Sequence, residues 1–349
     1  MKYFVLLALF FSTLLSAQIP QYYANIDFSD TPEDIKNQLS QLITNTHTTL
    51  LPYTSSQLDT WDVVKQTDEY PFDTDLVYLF YGYDNFDSDQ QTDYTRDKSL
   101  SCHTSGCVGL WTREHVFAKS LANPSLQTDY PSAGTDAHNL RACDASMNSS
   151  RSNRAFQDDS GNAHITQTGN WYPGDEWKGD VARIIMYMYL RYPTQCLPNN
   201  TAISNNSFNQ DMPDVFLLWN QQDPVSQYEI NRNDILENIQ GNRNPFIDNP
   251  YLATLIWGGY EANDSWNLLS NDSYTFYDFK VYPNPVNDFL YFTNHSNQSF
   301  NAIVYDISGK QVLNTKTINK LDISNFEQGF YILKLTNNKN SKAFKFLKN

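Results

Sequence analysis

The sequence predicts a mixed α+β domain followed by a small all-β sandwich domain. Three observations predict this fold class. The chain has 349 residues, which favours two domains over one. Its longer N-terminal part alternates helical and strand-like segments, whereas its last part contains short alternating strands separated by turns. Apolar residues make up 40% of the chain and aromatic residues 15%, so ordered hydrophobic cores are expected in both parts.

Residues 1–17 are predicted to be a signal peptide. A basic start precedes an apolar run from Tyr3 to Leu15, and the small pair Ser16-Ala17 can precede a cleavage site. The apolar run is shorter than the roughly 20 residues that a membrane-spanning helix needs. We therefore expect an exported protein whose mature chain begins near Gln18.

The next part of the chain, residues 18–262, is predicted to be the larger domain. Its first helix begins after Thr31, which can act as N-cap, with Pro32 at the first helical position and apolar residues at helical spacing. The apolar, aromatic run Asp75–Tyr83 predicts a buried strand, and Val108–Val116 predicts another. The run Asp180–Arg191 is apolar on nearly all sides and predicts a core helix capped by Asp180.

A change of composition near residue 262 predicts a polar linker, residues 263–276, before the last domain, residues 277–349. This tail has nine Lys and no Arg against five acidic residues, so it is basic although the whole chain has a formal charge of -15. Turn residues separate its predicted strands, which is typical of a β-sandwich. The strands are predicted at Leu290–Phe292, Ala302–Asp306, Gln311–Leu313, Phe330–Thr336 and Ala343–Leu347.

Three motifs in this tail resemble the C-terminal sorting domain of the type IX secretion system. They are VYPNPVND at 281–288, YDISGK at 305–310 and GFYILKL at 329–335, and together they cover essentially the whole tail. The resemblance implies that the type IX secretion machinery is a partner and that the protein crosses an outer membrane to be released or held at the cell surface. A β module that binds carbohydrate or protein is the alternative.

Four cysteines in an exported chain predict one or two disulfide bonds. The sequence does not choose among the pairings of Cys102, Cys107, Cys143 and Cys196. A zinc site that uses Cys102, His103 and Cys107 is the alternative, but no spaced Cys/His pair completes its four ligands.

The acidic charge of the chain argues against a nucleic-acid partner. Two features reduce this objection. A divalent cation in a carboxylate-lined site supplies positive charge that the net charge ignores. In addition, five basic residues are predicted to form one locally basic face, namely Lys119, Arg141, Arg151, Arg154 and Arg183.

Glu114, His115 and Asn148 are residue types that suit phosphodiester hydrolysis. Neutral His115, with a pKa near ambient pH, is predicted to remove the proton from the attacking water. Glu114 and Asn148 offer hard oxygen ligands for Mg²⁺, with Ca²⁺ and Mn²⁺ as alternative metals. Adjacent residues of a regular strand point to opposite faces, so Glu114 and His115 can serve one site only near a strand end or bend.

The motifs around these residues resemble the bacterial endonuclease I family of the ββα-metal nuclease superfamily. They occur in the family's order as Glu114-His115, Asp136–Leu140, Asn148–Asn153 and Glu176–Arg183, and the resemblance covers residues 50 to 260. The chain departs from many members at Arg141-Ala-Cys143, where they carry Pro shortly after the His-Asn-Leu sequence.

This resemblance implies a ββα-metal site in which His115 is the general base and Glu114 and Asn148 are the metal ligands. Arg151 or Arg183 is implied as a phosphate contact. The implied activity is sequence-nonspecific endonucleolytic cleavage of DNA, with RNA as a further substrate and 5′-phosphates on the products. We expect recognition through backbone phosphates and a monomeric protein.

Two other function classes stay open on the sequence. An inactive, surface-displayed binding protein would keep the domains without the activity, and a metal-dependent phosphatase or esterase would need more carboxylate or His ligands. Among the remaining polar residues, Asn139 and Asn153 are rival amide ligands and His138 is expected to be structural. The other histidines are expected to be ordinary surface or loop residues, namely His47, His103, His164 and His295.

Overall fold

The structure, a computed structural model, describes residues 19–104, 106–268, 280–292, 299–336 and 341–349. The predicted signal peptide and most of the predicted linker lie outside the described residues, as does His295. Within the described residues, the chain forms two compact units that divide between Trp266 and Asn267. No helix among those same residues is both long and apolar enough to cross a membrane.

The larger unit contains the α-helices that the structure describes. Helix α1 has Thr31 as its N-cap, whose side chain accepts from the Asp34 backbone N–H, so the predicted helix start is confirmed. The helices are α1 (Pro32–Thr46), α2 (Thr60–Thr67), α3 (Ala145–Arg151), α4 (Lys178–Arg191), α5 (Asp214–Gln222), α6 (Gln227–Gln240), α7 (Pro245–Asp248) and α8 (Tyr251–Trp257).

Helix α4 is the central helix of this unit, and twelve of its residues, from Gly179 to Leu190, are buried. It is surrounded by other helices, with α1, α5 and α7 among its contacts. The predicted core helix is thus confirmed, but the predicted cap is wrong because α4 begins at Lys178. Asp180 lies inside the first turn, where its carboxylate accepts a 2.8 Å hydrogen bond from Arg141 instead of capping the helix.

The strands of the larger unit form small antiparallel sheets. A three-stranded sheet has the order β1-β2-β3, and β4 pairs with β5 and β6 with β7. The predicted buried run 75–83 leaves the strand at Tyr78, although Leu79, Phe80 and Tyr81 stay buried. The strands are β1 (Glu69–Tyr70), β2 (Asp73–Tyr78), β3 (Thr95–Asp97), β4 (Trp111–His115), β5 (Leu140–Asp144), β6 (His164–Ile165) and β7 (Trp171–Tyr172).

Strands β4 and β5 and helix α3 form a continuous ββα unit. Glu114 pairs with Arg141 and His115 with Leu140 across the antiparallel ribbon. Helix α3 begins directly after β5, because the Asp144 side chain accepts hydrogen bonds from the backbone N–H groups of Ser146 and Met147 and acts as the N-cap. Strand β5 therefore places α3 next to the end of β4.

The smaller unit is an all-β sandwich, which confirms the fold class predicted for the tail. One antiparallel sheet has the order β11-β10-β13-β14 and the other β12-β9-β8. Residues from both sheets, such as Leu290 and Leu333, belong to one buried core. The strands are β8 (Val281–Tyr282), β9 (Phe289–Phe292), β10 (Phe300–Asp306), β11 (Gln311–Thr317), β12 (Lys320–Asp322), β13 (Gly329–Thr336) and β14 (Ser341–Lys348).

One disulfide bond is present, between Cys102 and Cys107. Cys143 and Cys196 are free and fully buried, so of the one or two disulfides that the sequence predicts the structure contains one. The bridge also argues against the zinc alternative, because both sulfur atoms proposed for that site are already bonded to each other.

Candidate functional site

The end of β4 and one face of α3 line an open cavity of about 390 Å³. Glu114 and His115 are the last two residues of β4, and Asn148 and Arg151 are three positions apart on α3 and share a helix face. All four residues line the cavity, together with Lys119 and Asn153. Because β4 ends at His115, the adjacent Glu114 and His115 side chains reach the same site, as the sequence requires.

His115 is held by one ring nitrogen and keeps the other free. Nε2 lies 2.8 Å from the carbonyl oxygen of Gly134, which can only accept, so Nε2 carries the proton. The Nδ1 atom therefore has the lone pair, and within the described residues it has no hydrogen-bond partner. The ring also stacks on Tyr53, with ring centroids 5.6 Å apart.

Gly134 brings its carbonyl to this position through a close backbone approach. A Cβ atom at Gly134 would lie 2.0 Å from the backbone oxygen of Gln127, so the turn admits only glycine without a shift of the backbone. The Ser132 side chain accepts from the Gly134 N–H and fixes the turn further.

Burial lowers the pKa of His115 to about 4, against a weaker opposing effect of the Gly134 hydrogen bond. The sequence-based expectation of a pKa near ambient pH is therefore wrong for this structure. The charged imidazolium loses its hydration in the buried position, so the neutral form is favoured. His115 is neutral throughout the neutral pH range and its Nδ1 can accept a proton there.

Glu114 is a buried carboxylate with one oxygen engaged and one free. Its Oε1 accepts a 3.2 Å hydrogen bond from the Tyr81 hydroxyl and lies 3.3 Å from Nη1 of Arg151. Burial raises the pKa of Glu114 to about 7, while Arg151 and Tyr81 oppose this rise. Its Oε2 has no hydrogen-bond partner in the part of the chain that the structure describes.

Asn148 is half-buried and also keeps its oxygen free. Its Nδ2 donates a long hydrogen bond of 3.4 Å to the Arg113 carbonyl, and Oδ1 has no partner among the described residues. The rival amide Asn139 is buried and bonded through both side-chain atoms to the Phe117 backbone. Asn153 lines the cavity, where its Nδ2 donates to Ser120, so it stays near the site.

These oxygens fit a hard divalent cation. No group of three or more His, Cys, Asp or Glu residues suited to a metal occurs within the described residues. Magnesium needs few protein ligands, because it keeps several of its waters and binds phosphate oxygens. The free oxygens of Glu114 and Asn148 on an open cavity suit that coordination, and the positive charge would favour the ionised form of the buried Glu114 carboxylate.

Arg151 is fully buried beneath the cavity and holds the chain where it leaves β4. Its guanidinium donates to the carbonyl oxygens of His115 (3.2 Å) and Val116 (2.7 Å) and packs over the Phe156 ring. These hydrogen bonds occupy both terminal nitrogens. Arg151 thus positions the His115 backbone, and its nearest charged group is Glu114.

Arg183 does not take part in this site. It is fully buried in α4, where it forms a bidentate pair with Glu229 at 2.7 and 2.8 Å and donates to the Asp223 carbonyl. It does not line this cavity. The structure therefore contradicts the implied phosphate contact, because desolvation and the pairing carboxylate hold this arginine in the core.

The predicted locally basic face is also wrong in large part. Arg141 is buried between Asp68 and Asp180, at 3.2 and 2.8 Å, and Arg151 and Arg183 are buried as well. Of the five residues, only Lys119 is exposed and Arg154 half-buried. The local positive potential at the cavity therefore comes from few side chains, and of these five residues Lys119 and the buried Arg151 line it.

The sequence predicted the structural role of His138 but not the burial of His47. Both are buried around Asp136, with His47 Nδ1 at 3.8 Å from its carboxylate. Sequence reasoning also missed Tyr81 and Gly134, which hold Glu114 and His115. Tyr81 lies in an aromatic run that indicated only a core strand, and a single glycine within a polar loop carried no signal.

Comparisons with known proteins agree with the motifs. Residues 31–251 match the family model described as Endonuclease I, and residues 280–349 match the model described as a secretion system C-terminal sorting domain. The extracellular ribonuclease of Bacillus subtilis (strain 168) is 36% identical over 253 residues, which are 69% of this chain and 80% of that protein. The extracellular ribonuclease of Bacillus amyloliquefaciens is 38% identical over 235 residues, 64% of this chain and 73% of that protein.

Both resemblances inferred from the motifs are thus confirmed, together with the expectation of a hydrolytic enzyme that acts on nucleic acid. The sorting domain and the extracellular relatives place the protein outside the cell or on its surface and make the secretion machinery its partner. The chain belongs to the Endonuclease I family and is a secreted or cell-surface nuclease with a C-terminal sorting domain.

Proposed function

We propose that the protein is a metal-dependent, sequence-nonspecific endonuclease that hydrolyses DNA and RNA and leaves 5′-phosphates. One observation carries this proposal. Three atoms without partners among the described residues belong to side chains that line one open cavity: His115 Nδ1, Glu114 Oε2 and Asn148 Oδ1. A base and two oxygen ligands are what in-line hydrolysis of a phosphodiester requires.

The neutral His115 ring accepts the proton of the attacking water at Nδ1. The Gly134 carbonyl holds Nε2–H throughout, so the ring stays oriented and the imidazolium that forms keeps a hydrogen-bond acceptor. Arg151 fixes the backbone of His115 at the strand end. A divalent cation held by Glu114 and Asn148 would stabilise the negative charge on the phosphate and the leaving oxygen. The water oxygen bonds to phosphorus as the bond from phosphorus to the 3′ oxygen breaks. The leaving 3′ oxygen takes up a proton from solvent in the open cavity, and the phosphate stays on the 5′ end.

Two features support a substrate range that includes both nucleic acids. The candidate site is open, and the side chains that line it suit phosphate and metal rather than the base edges that specify sequence. The relatives are named extracellular ribonucleases, whereas the family model is described as Endonuclease I. Cleavage at backbone phosphates does not require the enzyme to distinguish the two sugars.

The test is nicking of supercoiled plasmid and cleavage of a labelled RNA by the purified full chain in Mg²⁺. We expect EDTA to abolish both activities and His115→Ala to lower the rate by roughly 10²- to 10⁴-fold, the usual contribution of a general base. His164→Ala is the matched control, because His164 lies in strand β6, does not line this cavity and contacts Asp159. Circular dichroism verifies that each variant is folded.

The ends of the product test the direction of cleavage. A nick that DNA ligase seals without further treatment carries a 5′-phosphate and a 3′-hydroxyl, as proposed. Cleavage that persists in His115→Ala would move the base elsewhere. A folded wild-type chain that binds DNA without cutting it would favour the binding protein, and preference for a small phosphomonoester would favour a phosphatase.

A further inference from the structure

A second cavity adjoins the candidate site on the side of the Cys102–Cys107 loop. It measures about 650 Å³, within the range of pockets that bind small organic ligands. Arg113 and Asn148 line both this cavity and the one that contains Glu114 and His115. The two cavities therefore meet at these side chains, and we call the second one the flanking groove.

The flanking groove is suited to a polyanion in an otherwise acidic chain. No Asp or Glu occurs among the described residues that line it, although the chain has 39 acidic residues. Its polar lining is made of hydroxyl, amide and cationic groups, which donate hydrogen bonds to phosphate or sugar oxygens. The hydroxyl groups belong to Thr54, Thr104, Thr112, Ser146 and Ser149.

His103 supplies an exposed and fixed aromatic ring in this groove. Its ring packs on Trp61 with centroids 4.4 Å apart, and Trp61 in turn packs edge-on against the buried Trp111. The Ser101 hydroxyl lies 2.9 Å from His103 Nε2 and is a second contact that restrains the ring. The Cys102–Cys107 bridge closes the loop that carries His103. A ring fixed in this way can stack a nucleobase at a small cost in conformational entropy.

Arg113 adds a fixed positive charge at the junction of the two cavities. Its guanidinium lies between the rings of Tyr53 and Trp61, 3.5 and 3.8 Å from their centroids. The side chain is 6% exposed, and its Nε is buried without a partner within the described residues.

We propose that the flanking groove binds the nucleotide unit next to the cleaved phosphodiester, with its base stacked on His103. This inference rests on the proposed function, since the groove is defined by its junction with the candidate catalytic cavity. Base stacking tolerates any sequence, because every base has an aromatic face. The groove would thus lengthen the substrate that the enzyme recognises without making it sequence-specific.

The test compares substrates that do and do not reach the groove. The kcat/KM of the full chain is measured on a single-stranded oligonucleotide and on bis(p-nitrophenyl) phosphate, a phosphodiester without nucleotides. We expect His103→Ala to lower kcat/KM roughly tenfold on the oligonucleotide, the size of one stacked base, and to leave the small substrate unchanged. His103→Phe should restore oligonucleotide cleavage, because it keeps the ring without the nitrogens.

His164→Ala is the control, as a half-buried histidine that does not line the groove. If His103→Ala lowers kcat/KM equally on both substrates, or lowers it on neither, the proposal is overturned. If the wild type cleaves neither substrate, the proposed function fails, and binding still decides the inference. Fluorescence anisotropy of a labelled oligonucleotide with His115→Ala in Mg²⁺ should then show tighter binding than with His115→Ala/His103→Ala. Equal affinities would exclude the subsite.

Discussion

Glu114, His115 and Asn148 share a pattern at the level of single atoms. Each uses one polar atom for a contact within the protein and leaves a second one at the cavity. The internal contact fixes the side chain, so the free atom has a defined position before any substrate or cation arrives. Such preorganisation lowers the reorganisation needed during the reaction.

Asn148→Ala should raise the Mg²⁺ concentration for half-maximal cleavage at least roughly tenfold, because one of two proposed protein ligands is removed. Asn148→Asp should restore metal affinity, since a carboxylate oxygen replaces the amide oxygen. The measurement is the plasmid nicking rate across a MgCl₂ titration, with Ser150→Ala on the same helix as control. An unchanged Mg²⁺ dependence in Asn148→Ala would remove Asn148 from the ligand set.

Arg183→Met should destabilise the larger unit without changing KM. The substitution leaves the buried Glu229 carboxylate unpaired, which costs about 3–5 kcal/mol of unfolding free energy. Arg183→Met/Glu229→Gln should recover part of this loss. All seven Trp lie between residues 61 and 266, so Trp fluorescence during urea unfolding reports on this unit. A stable Arg183→Met protein with a raised KM would instead support phosphate contact.

At the scale of secondary structure, elements with local signals were predictable from the sequence. Helix α1 has its cap, its first-turn proline and its apolar period within one segment. The start of α4 was not predictable in this way. Asp180 accepts a hydrogen bond from Arg141, which is distant in sequence, and therefore does not cap the helix. The motifs likewise indicated Glu114 and His115. The Gly134 carbonyl that sets the tautomer of His115 was not predictable, because the turn that carries it is brought next to His115 only when the chain folds.

Helix α6 offers a test of one such local signal. Ser226 is its N-cap, and the Glu229 side chain accepts from the Ser226 backbone in a reciprocal capping box. Ser226→Ala should lower the unfolding free energy of the larger unit by about 1 kcal/mol. Ile230→Ala, at an exposed position of the same helix, is the control and should change it by less than about 0.5 kcal/mol. Equal effects of the two changes would contradict the capping role.

At the scale of the whole molecule, buried charge networks join segments that are distant along the chain. Asp136 accepts hydrogen bonds from Tyr187, Tyr192 and Gln240, and His47 and His138 lie beside it. Buried ionisable groups of this kind add little net stability but are costly to disrupt. The stability of the larger unit should therefore depend on pH through ionisable groups that are buried in the folded state.

His138 provides the measurable case. Burial lowers its pKa to about 4, so between pH 6.5 and 4 the unfolded chain binds more protons than the folded one. The contribution of His138 to the free energy of unfolding is therefore fully present above pH 6.5. It is lost as the pH falls toward 4, by about 3 kcal/mol in all. Other groups, such as Asp180, whose pKa is raised by burial, act in the opposite direction. The quantity to compare is therefore the difference between wild type and His138→Gln.

Urea unfolding of both proteins at pH 7 and pH 4.5, followed by Trp fluorescence, measures that difference. The stability advantage of the wild type should shrink as the pH falls. A difference that stays constant between these pH values would show that His138 does not titrate with the expected shift.

The four sulfur atoms of the cysteines divide into two chemical populations. The pair at the rim of the flanking groove is oxidised, and the two thiols, Cys143 and Cys196, are fully buried. Burial also raises the pKa of Cys196 to about 12, which suppresses its reactive thiolate. A thiol-specific dye therefore reacts with these two thiols only in molecules whose larger unit has transiently opened. The rate of labelling without denaturant would report how often the nuclease unit opens, at two positions that the chain already carries.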